Sequence, residues 1–152
     1  MRTTPLVLGA ALLAAGVATG PATAAPHKPI TKTYTATAAS PDPTNYAPTT
    51  KYSVCNQTVP GSFQIEPFKA PATGKLAVKL TGFTGDWDLL ITDAKKGTEV
   101  GSGGGSDVST PAAPATEATT IKVKKAGTTY NIIACNWAGG PTGTVTYTFT
   151  YA

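Results

Sequence analysis

Val145, Tyr147, Phe149 and Tyr151 alternate strictly with Thr144, Thr146, Thr148 and Thr150. Successive side chains of an extended strand point to opposite faces, so this run has one apolar face and one hydroxyl face. A helix would scatter the same residues around its surface. The pattern predicts a half-buried strand and requires a second layer to cover its apolar side.

The same period recurs upstream. Leu76, Val78 and Leu80 oppose Lys75, Ala77 and Lys79, and Ser62 to Glu66 alternates around Phe63 and Ile65. Ile121 and Val123 alternate with Lys122 and Lys124, and Tyr130, Ile132 and Ala134 oppose Asn131, Ile133 and Cys135. Turn chemistry separates the runs at Pro60-Gly61, Ala72-Thr73-Gly74, Asp93 to Gly97 and Lys125-Ala126-Gly127. Trp137-Ala138-Gly139-Gly140-Pro141 reads as a further loop. No segment beyond the leader has a helical apolar period supported by caps. Short period-two runs joined by turns predict an all-β fold, an antiparallel jelly-roll-like β-sandwich in a single domain.

The sandwich is expected over 51–152, preceded by a flexible or extended N-terminal segment over 26–50 that is rich in Pro, Thr, Ala and Ser. Within that segment Thr31 to Thr37 has strand-like composition but few large apolar groups, so it reads as an edge strand or an extended arm. Gly101 to Ser106 reads as a flexible loop on composition, extended by the Pro-rich stretch over 111–114.

The first 25 residues have the order of a secretory signal peptide: Met1-Arg2, an apolar run from Leu6 to Val17, then Ala22-Thr23-Ala24 as an A-x-A site. Cleavage is expected after Ala24 or Ala25, and no second apolar run approaches membrane-spanning length. A secreted, extracellular chain follows as the expectation. Cys55 and Cys135 are the only cysteines, and in an oxidising compartment they are expected to pair. Loss of Arg2 with the leader lowers the formal charge from +4 to +3. Every remaining arginine-or-lysine position is then lysine, so no planar guanidinium is left to grip phosphates bidentately. Nucleic acid is not an expected partner.

Gly74-Lys75-Leu76-Ala77-Val78, Gly85-Asp86-Trp87-Asp88-Leu89-Leu90-Ile91, Lys125-Ala126-Gly127-Thr128-Thr129-Tyr130 and a final Thr-Val-Thr-Tyr-Thr-Phe strand occur in this order. Over about Ser62 to Tyr151 the chain resembles the bacterial pre-peptidase C-terminal domain, a jelly-roll-like sandwich often appended to secreted proteases. Leu90 stands where that family usually has tyrosine, and no protease accompanies the domain here. The resemblance implies a secreted accessory module, sometimes stabilised by calcium and sometimes binding an insoluble substrate or a partner. It does not imply catalysis.

The residue inventory also argues against an enzyme. His27 is the only histidine and lies beside the expected cleavage site, so neither a triad nor a zinc site has the histidine it needs. Asp86 and Asp88 are the candidate calcium ligands, because residues at i and i+2 of a strand project to one side, with Asp93 as a third carboxylate. The competing reading has Asp86 capping its turn and Asp88 bonding nearby amides. By alternation Trp87 joins Leu89 and Ile91 as a core anchor. Trp137 and Asn136 are the candidate ligand-binding residues, with packing of Trp137 over the disulfide as the alternative. The Thr144–Thr150 row is weak ground for a binding face without matching rows in neighbouring strands, and Lys75, Lys79, Lys122 and Lys124 mark those strands' outer faces as charged. The same lysines form a basic strip suited to anionic wall polymers if their strands are adjacent.

The expected function is a secreted, non-enzymatic binding module for an extracellular protein or polysaccharide surface, with no required cofactor. A purely structural or self-associating envelope protein is the rival class. A small carboxylate-dependent hydrolase is the third.

Overall fold

A computed structural model describes residues 26–40, 55, 59–106 and 115–152. The expected leader, and residues 41–54, 56–58 and 107–114 with the Pro-rich stretch over 111–114, lie outside the described residues.

Nine strands form the fold: β1 (Ile30–Thr37), β2 (Phe63–Lys69), β3 (Gly74–Thr81), β4 (Gly85–Asp93), β5 (Thr98–Ser102), β6 (Gly104–Ser106), β7 (Thr116–Val123), β8 (Thr129–Gly139) and β9 (Thr142–Tyr151). They build a five-stranded sheet in the order β1-β9-β3-β7-β6 and a four-stranded sheet in the order β2-β8-β4-β5. All pairings are antiparallel, and no helix occurs among the described residues. β1 pairs with β9, β2 with β8, β3 with β7 and β4 with β5. The chain thus runs out and back as one long hairpin rolled over itself, which is the jelly-roll arrangement.

Alternation decides what the two sheets enclose. Leu76, Val78 and Leu80 from β3, Val145, Tyr147 and Phe149 from β9, and Trp87, Leu89 and Ile91 from β4 meet in one core. Trp87 is fully buried, as its place in the alternation predicts, and its indole N–H donates to the Gly140 carbonyl at 3.1 Å. Truncating it would cost roughly 3–5 kcal/mol. A smaller cluster lies on the outer side of the four-stranded sheet, where Leu90, Ile133 and Cys135 pack with Cys55 and Phe63. Cys55 and Cys135 form a disulfide that closes a separation of 80 residues. It holds Cys55 against that cluster.

Two expectations are corrected. β1 is part of the five-stranded sheet, so the sandwich begins near Ile30 and not at 51. Small side chains suffice there: Ala36 and Ala38 are buried, and the Lys32 ammonium pairs with Glu66 on β2 across the sandwich margin. The Gly101–Ser106 stretch is also not a free loop. Its residues finish β5 and form β6, where a Cβ on Gly105 would sit 1.7 Å from the Thr116 carbonyl oxygen. Glycine permits that close approach, so the residue that suggests flexibility here makes tight pairing possible.

Candidate binding surface

β4 carries all three candidate calcium carboxylates but separates them. Asp86 pairs with Ala138 at one end of the strand and Asp93 pairs with Tyr130 at the other. Seven residues of strand span about 23 Å, so the trio cannot ligate a single ion. The Asp93 carboxylate accepts the backbone N–H groups of Lys95 and Lys96, each at 3.0 Å, and so holds the β4–β5 turn. Asp88 accepts the indole N–H of Trp137. Among the described residues no group of three or more His, Cys, Asp or Glu side chains is placed to hold a metal.

Trp137 lies within β8 and not in a loop. The register between β4 and β8 shifts beside Asp86 and Trp87: Asp86 faces Ala138, Trp87 faces Asn136, and Trp137 is the extra residue. Such a bulge re-aims a side chain. It sets Trp137, half-buried, on the outer face beside Asp88. Its carbonyl accepts the Ser40 hydroxyl at 3.1 Å.

Asn136 cannot present its amide to a ligand, being only 1% exposed. Its Nδ2 donates to the Ala38 carbonyl at 2.8 Å and to the Gly140 carbonyl at 3.0 Å. The Gly140 carbonyl thus collects both Asn136 and Trp87, and Asn136 ties the end of β1 to the β8–β9 turn. Burying a polar amide needs such partners. The sequence reading of Asn136 as a binding residue is corrected to one of tying the two sheets together.

On the outer face of the five-stranded sheet β1 sets a matching threonine row beside Thr144–Thr150, while β3 on the other side presents Lys75, Ala77, Lys79 and Thr81. Register sets Thr33 beside Thr146, then Lys79 and Ala118. The next row is Thr31, Thr148, Ala77 and Thr120, and the one on the other side is Thr35, Thr144, Thr81 and Thr116. Same-face neighbours repeat about every 6.7 Å along a strand and 4.8 Å between strands. Two cross-strand pairs are hydrogen-bonded: Thr31 Oγ1 with Thr148 Oγ1 at 3.1 Å, and Thr33 Oγ1 with Thr146 Oγ1 at 2.9 Å. Each pair uses one donor and one acceptor, leaving a second donor and further lone pairs to face outwards. Thr31, Thr33 and Thr35 went unrecognised as part of a face. The segment read as an edge strand or an extended arm, and it is an edge strand; its pairing with β9 is what sets these threonines beside the Thr144–Thr150 row.

The remaining margin, between β1 and β2, is electrostatic. The Lys32 ammonium has its pKa raised, first by the hydrogen bond to Glu66. Burial pushes the Tyr34 phenol well above its ordinary value, and also raises Tyr130 and Tyr147. The Tyr34 hydroxyl is buried with no hydrogen-bond partner among the described residues.

No helix among the described residues is long and apolar enough to cross a membrane. Comparison with protein-family models, with curated proteins and with solved structures found no match to this chain.

Proposed function

We propose that the chain is a secreted, non-enzymatic binding module, similar in role to pre-peptidase C-terminal domains, that holds a polysaccharide through the outer face of its five-stranded sheet. The observation that carries this reading is the cross-strand threonine array, with the Thr31–Thr148 and Thr33–Thr146 pairs already hydrogen-bonded to each other. Held by β1 and β9, those hydroxyls lose little freedom on binding, which lowers the entropic cost of contact. Threonine also offers a methyl group beside each hydroxyl. That alternation of small apolar and hydroxyl groups complements a sugar chain better than it does a typical protein epitope, whose hot spots are aromatic and arginine side chains.

The test is retention of the mature chain on cell-wall, chitin, cellulose and collagen matrices, alongside Thr146→Glu. Binding to a polysaccharide matrix that Thr146→Glu abolishes without lowering the melting temperature supports the reading. Retention on collagen alone, or on none of the four, contradicts it. Concentration-dependent self-assembly unaffected by any matrix would favour the structural class instead.

A further inference from the structure

The antiparallel roll gathers several turns at one end of the sandwich. The β4–β5 turn carries Lys95 and Lys96, and the β7–β8 turn carries Lys124 and Lys125. Lys75 and Lys122 are directly paired across β3 and β7 at the same end. Two grooves open there. One, of about 940 Å³, is lined by Lys95, Lys96, Lys122, Lys124 and Lys125. The other, of about 520 Å³, is lined by Lys75 together with the same Lys122 and Lys124. Shared walls make them one track, which passes from the edge of the four-stranded sheet onto the lower rim of the threonine face.

Lysines outnumber acids at this end, where Asp93 and Glu99 are the neighbouring carboxylates among the described residues. Asp93 is the one acid lining either groove, and its carboxylate accepts the amides of the turn that presents Lys95 and Lys96. Asp86 and Asp88 sit at the far end of β4. Like charges at this spacing repel, and a chain of repeating negative charge would relieve that repulsion while releasing counterions.

We propose that the polymer held by this module is a polyanionic polysaccharide, gripped along the lysine track as it leaves the threonine face. The inference rests on the polysaccharide reading above and adds the charge of the partner. Lysine ammoniums act as point charges on flexible stems and suit well-spaced single sulfates, phosphates or carboxylates. A single-stranded nucleic acid would want exposed aromatic platforms for its bases. Here Tyr130 is only 7% exposed, and Tyr151 is stacked on His27 and packed edge-on against Phe149.

The experiment measures affinity of the mature chain for dextran sulfate and for neutral dextran of equal length, with oligothymidylate and phosphatidylserine-containing vesicles in parallel. Lys124→Gln and Lys32→Gln change net charge identically, but only Lys124 lies on the track, and Lys32 turns away from the threonine face towards Glu66. The expected result is binding to dextran sulfate and not to dextran, weakening steeply with salt. Lys124→Gln should weaken it about fivefold or more and Lys32→Gln less than about twofold, with melting temperatures little changed. Equal losses in the two variants would mean attraction by net charge alone and would overturn the proposal. So would stronger binding to oligothymidylate or vesicles, or no binding to dextran sulfate. If the chain still binds a neutral matrix through Thr146 in that last case, the polyanion inference fails alone. If it binds neither, the module reading fails with it.

Discussion

Trp137 donates its indole N–H to the carboxylate of Asp88, across the bulge that interrupts the β4–β8 pair. This contact resolves the acid-tryptophan-acid triplet at Asp86-Trp87-Asp88. Trp87 turns into the core and bonds the Gly140 carbonyl, while Asp88 turns outwards and secures the other tryptophan. Trp87 and Asp88 hold strands together.

Removing that partner should therefore cost stability and spare binding. Asp88→Ala leaves a half-buried indole N–H without its acceptor and should destabilise by roughly 1–3 kcal/mol. Asn136→Ala should cost at least as much, because it strips the Ala38 and Gly140 carbonyls of a buried donor. Urea unfolding of both variants measures the losses. Unchanged stability in Asn136→Ala would contradict the assigned role.

The disulfide closes a long loop, and chain entropy assigns such a closure about 4 kcal/mol. Cys55→Ala/Cys135→Ala should lower the unfolding free energy by that order and expose Leu90 and Ile133 to dye binding. A loss below about 1 kcal/mol would mean that the covalent tie adds little to the stability of the fold.

High pH should destabilise the protein as three tyrosine phenols and one lysine ammonium lose their protons. The phenols of Tyr34, Tyr130 and Tyr147 and the ammonium of Lys32 all have raised values in the folded state. A raised folded value contributes stability that is fully present below the unfolded value and is lost as pH climbs through the folded one. The urea midpoint should be level from neutrality to about pH 9.5 and fall above about pH 10, where tyrosine and lysine begin to titrate in the unfolded chain. Tyr34→Phe deletes a buried hydroxyl that has no partner among the described residues. It should stabilise by up to about 1 kcal/mol and soften the alkaline fall.

Calcium should leave the melting temperature of chelator-treated protein unchanged, since Asp86 and Asp93 stand at opposite ends of β4. A ligand that prefers the folded state must raise it. A rise abolished by Asp86→Ala would restore a metal site at that end of the strand.

Strands built from large apolar residues were legible in the sequence. β3, β9 and the inward face of β4 follow period two, and both the core position of Trp87 and the Cys55–Cys135 pairing emerged from residues alone. Three features were hidden for identifiable physical reasons. β1 was legible as an edge strand or an extended arm, but its place beside β9 depends on a pairing far apart in sequence. The stretch over 101–106 uses glycine for close backbone approach, which composition cannot distinguish from slack chain. The bulge at Trp137 breaks alternation, so Asn136 turns inwards to bond Ala38 and Gly140 where a loop was expected. The candidate surface was half legible: one threonine row was evident, and its partner row needed the register of β1.

Amide chemical-shift mapping tests the central claim most directly. The labelled mature chain would be titrated with dextran sulfate and with soluble fragments of the matrix that retains it. The account predicts shifts over Thr31 to Thr35 and Thr144 to Thr148, continuing through Lys122 to Lys125. Shifts confined to Asp88, Trp137 and Ala138 would contradict it and move the binding surface to the opposite sheet.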